Sequence, residues 1–463
     1  VLAGLEAEHT LALTLAGDVA DVEVTLDGVP LLGRVGVAAP VLEAAVTGAA
    51  ALGAWRVRFG TFQRHATLHL RHLDAAAVEI GAGDVPLWGA PLVLNHHLQP
   101  AERLWAVADP GNGAMVQLLQ ALYGDRFVLV HNPDVWIQDE LEWATATAPG
   151  ARTDVAIDSI RDRELDGYVK SLAAPDVVPM TWGEHAAATT EDKFGNLETT
   201  PPHQAHGVSY PFGRVYYGDN GVVGPHAALK AMLDEQLVQA PLRVDTSWLC
   251  VGHVDEFMSF LADPAAPKGW KLVFADVPAA YELLLGLDPA TSLPRYASTH
   301  GYATVGAILA DAALTALNED LQADYLDPIL AGLMSELELG EADVVRVPAL
   351  FERIPGCAYS SAFLEVAALL PAVVNYTVVA VDGEPSRVFL PDPFLRPSGA
   401  AQADDPLVQA VRALLPPSHE LYFVDDWWTY HVAMGEVHCG TNVMRTPTPE
   451  AWVESAELLG GAP

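Results

Sequence analysis

Cysteine is scarce in this chain: Cys250, Cys357 and Cys439 are all that 463 residues contain. Three scattered thiols are too few for a disulfide framework and too far apart for a cysteine-based zinc site. Basic residues are also sparse, 24 Lys and Arg against 60 Asp and Glu, which leaves a formal charge of −36. A field of that sign repels nucleic acid and anionic membrane surfaces and favours cationic ligands. Long unbroken apolar runs are missing as well. The two most apolar stretches, 306–317 and 363–381, are interrupted by Asp311 and by Glu365, Pro371 and Asn375, so neither reads as a membrane span. No basic region followed by an apolar core opens the chain at Val1, and the expectation is a processed or trimmed start without a signal peptide.

What is present is bulk. With 51% hydrophobic residues, the chain can bury a sizeable core, and its length predicts two to three domains. Residues 1–78 read as short strands: 20–26 and 54–59 alternate, and Asp27-Gly28 is a hairpin signal. This predicts a small β-sandwich-like module. From 79 to 463 strands and helices interleave. Strands are predicted at 126–130, 271–275 and 421–424, with two or three helices over 303–339. Pro225 reads as the first-turn proline of a helix through Gln239, and Asp405-Pro406 as the cap of another through Leu415. Periodicity alone predicts α/β and no finer architecture.

Three segments carry chemistry. Gly435-Glu436-Val437-His438-Cys439-Gly440-Thr441-Asn442 sets a cysteine among small and polar residues, the company of a nucleophile, although free cysteine more often only packs. Val251-Gly252-His253-Val254-Asp255-Glu256-Phe257 offers an acid/base and a carboxylate; if extended, His253 and Asp255 share one face. Trp136-Ile137-Gln138-Asp139-Glu140-Leu141-Glu142 adds further carboxylates.

Together, and in this order, the three segments resemble the protein-arginine deiminases, which convert peptidyl-arginine to peptidyl-citrulline under calcium control. The resemblance covers the family's catalytic domain and implies a five-bladed, pseudo-symmetric α/β propeller (pentein) over 79–463. Residues 1–78 resemble a shortened form of the immunoglobulin-like domain that precedes it, and the family's first domain is not matched. It further implies that Cys439 attacks the guanidinium carbon and that Asp139 and Asp255 clamp the guanidinium. His253 then serves as general acid and base. A guanidinium, with a pKa above about 12, needs such a grip. By the same resemblance Trp136 walls the substrate slot and Arg163 binds a substrate backbone carbonyl, selecting peptides over free arginine. Two departures stand out: Ala433, where several animal members carry arginine, and Asp162, where they carry asparagine.

The resemblance also implies at least two calcium ions, held by hard oxygen ligands. One set is Gln138, Glu142 and Glu198 with the carbonyls of Phe194 and Leu197; the other is Glu140, Asp158, Ser159 and Asp162. Both flank Asp139, so metal would order the segment that aims it. Arginine-containing proteins or peptides are the expected substrates, with no nucleic-acid or membrane partner, and the expected compartment is the cytoplasm, a secreted form being left open. Rival readings are an inactive calcium-binding relative, a deiminase of free arginine or a small guanidine, and a cysteine protease, for which two clamp carboxylates serve no evident purpose.

Overall fold

The computed structural model describes residues 5–19, 22–27, 29–33, 41–51, 55–59, 64–148, 150–357 and 364–448. Of these, residues up to Leu92 together with Ala146–Arg152 form one compact unit, and Val93–Thr145 with Thr153–Thr448 form a second.

Alternating apolar residues build the smaller unit. Its strands are β1 (Thr10–Gly17), β2 (Val22–Leu26), β3 (Val29–Gly33), β4 (Glu43–Thr47), β5 (Trp55–Phe59), β6 (His65–Leu73) and β7 (Glu79–Trp88). They form two sheets, β4-β1-β6-β7 and β3-β2-β5. Leu11, Leu13 and Leu15 of β1 and Val22, Val24 and Leu26 of β2 point inward to one core, the period-2 pattern of a sandwich. β2 and β3 pair antiparallel where the hairpin was expected, with Leu26 opposite Val29 and Asp27 at φ +50°; Gly28 lies outside the described residues. The unit does not stop at the expected boundary of 78/79. β7 pairs along β6 and carries the sheet beyond it, so the compact unit extends to Leu92.

The larger unit is mixed α/β. Among the described residues it holds five sheets of three or four strands. In four of them a middle strand pairs antiparallel on one side and parallel on the other. Ala101–Val107, for example, pairs antiparallel with Thr441–Arg445 and parallel with Phe127–Val130. Val215–Gly218, Trp270–Asp276 and Ser386–Pro391 occupy the same place in their sheets. The expected strands at 126–130, 271–275 and 421–424 are all present, as Phe127–Val130, Trp270–Asp276 and His419–Val424. Helices at Val305–Ala310, Ala312–Leu321 and Asp327–Glu336 fill the 303–339 stretch. Asp405 caps Pro406–Leu414 by accepting from the amides of Leu407 and Val408.

Two local expectations need correction. The helix near Pro225 runs only over Ala227–Glu235, capped by the His226 ring, so Pro225 stands outside it rather than in its first turn. It ends early because Leu237 takes a left-handed conformation, φ +63°, which an α-helix cannot continue through. The 251–257 segment is not extended either. Val254–Glu256 forms a single 3-10 turn, held where the Glu256 carboxylate accepts from the His253 amide at 2.9 Å.

The structure also pairs two cysteines that the sequence reading left apart: Cys250 and Cys357 form a disulfide with Cα atoms 6.0 Å apart. Among the described residues no helix is long and apolar enough to cross a membrane.

Candidate active site

Phe257, directly after the turn that carries His253 and Asp255, is fully buried, its ring 5.5 Å from Trp248 and 5.8 Å from Phe274. Anchors of this size contribute about 1.5–3 kcal/mol each, and they fix the turn against the core. Cys439 enters from the other end of the chain, on the loop just before Thr441–Arg445. One side chain links the two. Asn375 accepts from the His438 amide (3.0 Å) and the Cys439 amide (3.3 Å), and donates to the Asp255 carbonyl and to Cys439 Sγ, both at 3.2 Å.

The expected catalytic residues come together. Cys439 Sγ lies 3.4 Å from Asp255 Oδ2, and His253 Nδ1 lies 3.7 Å from Asp139 Oδ1. All four are buried. Burial, then the Asp255 and Asp139 carboxylates, push the Cys439 thiol well above its ordinary value, so the group rests protonated. Burial likewise lowers His253, although Asp139 and Asp255 pull the other way, and its Nδ1 is left without a hydrogen-bond partner. Its Nε2 faces the Thr190 carbonyl at 3.0 Å. Burial works to raise Asp139, yet Lys193 (3.9 Å), His253 and Arg161 (3.5 Å) outweigh it and hold that carboxylate low.

Two glycines make the packing possible. A Cβ on Gly195 would meet His253 Nδ1 at 2.5 Å and Asp255 Oδ2 at 3.1 Å, so the 194–196 turn lies directly against the pair. A Cβ on Gly435 would strike the Trp136 ring at 2.4 Å and reach Cys439 Cβ at 3.3 Å. Trp136 is therefore beside the thiol, half-buried, with Tyr430 at 5.5 Å. Arg163 stays at the edge, 44% exposed, its Nε 3.3 Å from buried Asp134. Ala433 ends the exposed side of the 431–433 turn.

Of the expected calcium ligands, the first set assembles. Gln138 Nε2 donates to Glu142 (2.8 Å) and to the Phe194 carbonyl (3.2 Å), and Glu198 faces the same cavity, about 20 Å³ in volume. Burial and then the nearby Glu198 carboxylate push Glu142 up to about 8. An oxygen of Glu198, Oε1, has no hydrogen-bond partner. Oxygen donors and unmet charge fit a hard cation.

The second set assembles only in part. Glu140 and Asp158 come within 4.8 Å of each other, each with one buried oxygen unpartnered, but the third member is Asp166. Ser159 Oγ is committed to the Asp192 carbonyl (2.9 Å), and Asp162, partly exposed beside His185, shares a hydrogen bond with Asp166 at the edge of the cluster. Burial pushes Glu140 up to about 8 against the pull of Arg161.

Sequence reasoning passed over several residues. Arg161 is buried and binds Glu140 Oε2 through Nε (2.6 Å), Asp134 through Nη2, and approaches Asp139. It lies two residues before Arg163, between the expected ligands Ser159 and Asp162, and that neighbour masked it. Asn375 was visible only as a polar break in an apolar run, which is itself a signal of a buried polar role. Lys193, Asp166 and His97 had no signal.

A buried sulfur nucleophile with paired carboxylates and an imidazole defines a thiol site suited to a cation. The model of the family described as Protein-arginine deiminase (PAD) matches residues 79–454, and the chain belongs to that family. Protein-arginine deiminase type-4 of Mus musculus is 34% identical over 339 residues, 69% of this chain and 48% of that protein. Type-1 of Mus musculus is 34% identical over 334 residues (70% and 48%), and type-3 of Homo sapiens 32% over 333 residues (69% and 47%). The chain spans about half the length of the curated relatives it matches.

Proposed function

We propose that this chain hydrolyses peptidyl-arginine to peptidyl-citrulline and ammonia. The observation that carries the reading is the convergence of Cys439, Asp255, His253 and Asp139 from three distant segments. Asp139 and Asp255 take the guanidinium by charge-assisted hydrogen bonds, with Lys193 and Arg161 giving way at Asp139. The resting thiol is held neutral by two carboxylates, and the arriving cation offsets them, which favours the thiolate. His253 takes up the Cys439 proton as Sγ bonds to the guanidinium carbon, then gives it to the departing nitrogen as the N–C bond breaks, releasing ammonia. His253 then takes a proton from water, whose oxygen bonds to the same carbon of the thiouronium intermediate. The C–S bond breaks, leaving citrulline and the thiol. Trp136 walls the slot, and Arg163, at its rim, holds a substrate carbonyl.

Calcium is the cation that the two oxygen clusters suit, by Gln138, Glu142, Glu198 and the Phe194 and Leu197 carbonyls, and by Glu140 and Asp158 with Asp162 or Asp166. Bound there, it would neutralise repelling carboxylates and order the segment bearing Asp139. Five sheets, four of them sharing one pairing pattern, support the five-bladed propeller, and the two-sheet module supports the immunoglobulin-like reading of the N-terminal region. The disulfide favours an oxidising compartment over the cytoplasm expected from the sequence.

The test is citrulline formation from a blocked arginine peptide, with calcium or with chelator. Wild type is expected to turn over only with calcium and Cys439→Ser to fall to background, since a hydroxyl is a far weaker nucleophile. Turnover by Cys439→Ser would overturn the assignment.

A further inference from the structure

Glu198 is not held as an oxygen ligand alone would be. His97 Nε2 lies 3.1 Å from its Oε2, and His438 Nε2 lies 3.3 Å from its Oε1. The three candidate ligand atoms sit within 4.8 Å of one another, all on buried residues. Zinc with bonds of about 2.0–2.1 Å places tetrahedral ligands roughly 3.3 Å apart, and the two separations, 3.1 and 3.3 Å, match. Each imidazole is also braced from behind. His438 Nδ1 meets Asp255 Oδ2 at 2.9 Å, and His97 Nδ1 meets Ser259 Oγ at 3.2 Å. A partner on Nδ1 orients each ring with Nε2 toward Glu198, as at metal centres, and a metal ion would replace the proton that each Nε2 shares with that carboxylate. The second observation is Glu198 Oε1 itself, which is buried, faces the cavity and, without a hydrogen bond of its own, has only the candidate ligand His438 beside it. A cation does lie nearby, but Arg445 directs its guanidinium to the carbonyls of His97, Gln99 and Val378 at 3.2, 3.1 and 2.9 Å.

We propose that His97, Glu198 and His438 form a site for a divalent transition-metal ion of the zinc class, which takes Glu198 away from the calcium set. Two imidazoles and one carboxylate suit zinc, copper or nickel, whereas calcium takes oxygen. Because both ions draw on the same carboxylate, each weakens the other. The site itself stands apart from the deiminase reading; only the competition with calcium rests on it.

The experiment uses metal-free full chain titrated with zinc, and with cobalt as a coloured stand-in. Expected are one zinc per chain and the intense visible bands of four-coordinate cobalt. His97→Asn should weaken zinc by about a hundredfold or more, and Ser259→Ala, which touches only the brace, by roughly ten- to a hundredfold. Added calcium should raise the apparent zinc Kd in proportion. Absence of stoichiometric zinc, six-coordinate cobalt, or wild-type affinity in both variants would overturn the site. Zinc and calcium bound together without mutual weakening would overturn the shared Glu198. Cobalt absorption needs no turnover, so a failed deiminase assay leaves this test intact.

Discussion

Gly195 shows how narrow the tolerances are at the level of single residues. Its bare Cα lets the 194–196 turn rest on His253 and Asp255, where a methyl group would intrude to 2.5 Å from the imidazole. Gly195→Ala should therefore displace His253, the proposed acid/base, by a fraction of an ångström to an ångström. Misplacement on that scale costs about a hundredfold in rate, so kcat should fall by that order with KM changing less. Steady-state kinetics on a blocked arginine peptide check this; unchanged kcat would mean that the turn moves away in the working state. The side chains expected to do chemistry were legible because nucleophile, imidazole and carboxylates sit in short, dense segments. Arg161, Asn375 and His97 were not, because their roles come from distant contacts: Asn375 ties together backbone from residues 255, 438 and 439.

Elements followed the sequence where local signals were strong. Asp405 caps its helix, and Asp27 turns its hairpin, because both depend on neighbours in the chain. The 251–257 segment departed from its extended reading because a single side-chain acceptor, Glu256, stabilises a turn that propensity does not foresee. Equally invisible was the disulfide, since pairing across 107 residues is a property of the fold. It joins the segment leading into His253 to the strand region near residue 366, where the Cys250 amide also donates to the Val366 carbonyl at 2.7 Å. Closing a loop of this length stabilises by roughly 4–5 kcal/mol through the unfolded state. Urea unfolding of the Cys250→Ser/Cys357→Ser variant should show a loss of that order against oxidised wild type. Equal midpoints and slopes would leave the bond without a stabilising role.

At the scale of the whole molecule, the charge of −36 acts over a distance that salt controls. The screening length falls from about 30 Å at 0.01 M to about 8 Å at physiological ionic strength. Attraction of an arginine peptide should weaken accordingly, and kcat/KM should drop as sodium chloride rises over that range. Glutamates flanking the arginine should flatten the slope. A salt-independent kcat/KM for both peptides would show that the overall field plays no part in capture.

Arg161 gives the molecule a sense of order in time. Its guanidinium holds Glu140 and Asp134 while standing 3.5 Å from Asp139. A cation that claims Glu140 takes a partner from Arg161, and the freed guanidinium competes for Asp139 until its neighbours resettle. The sequence of additions then matters. Calcium given to protein already mixed with substrate should produce citrulline after a lag, and calcium given beforehand should abolish the lag. Stopped-flow traces for the two orders of mixing decide it; superimposable traces would show that Arg161 keeps no record of which ligand came first.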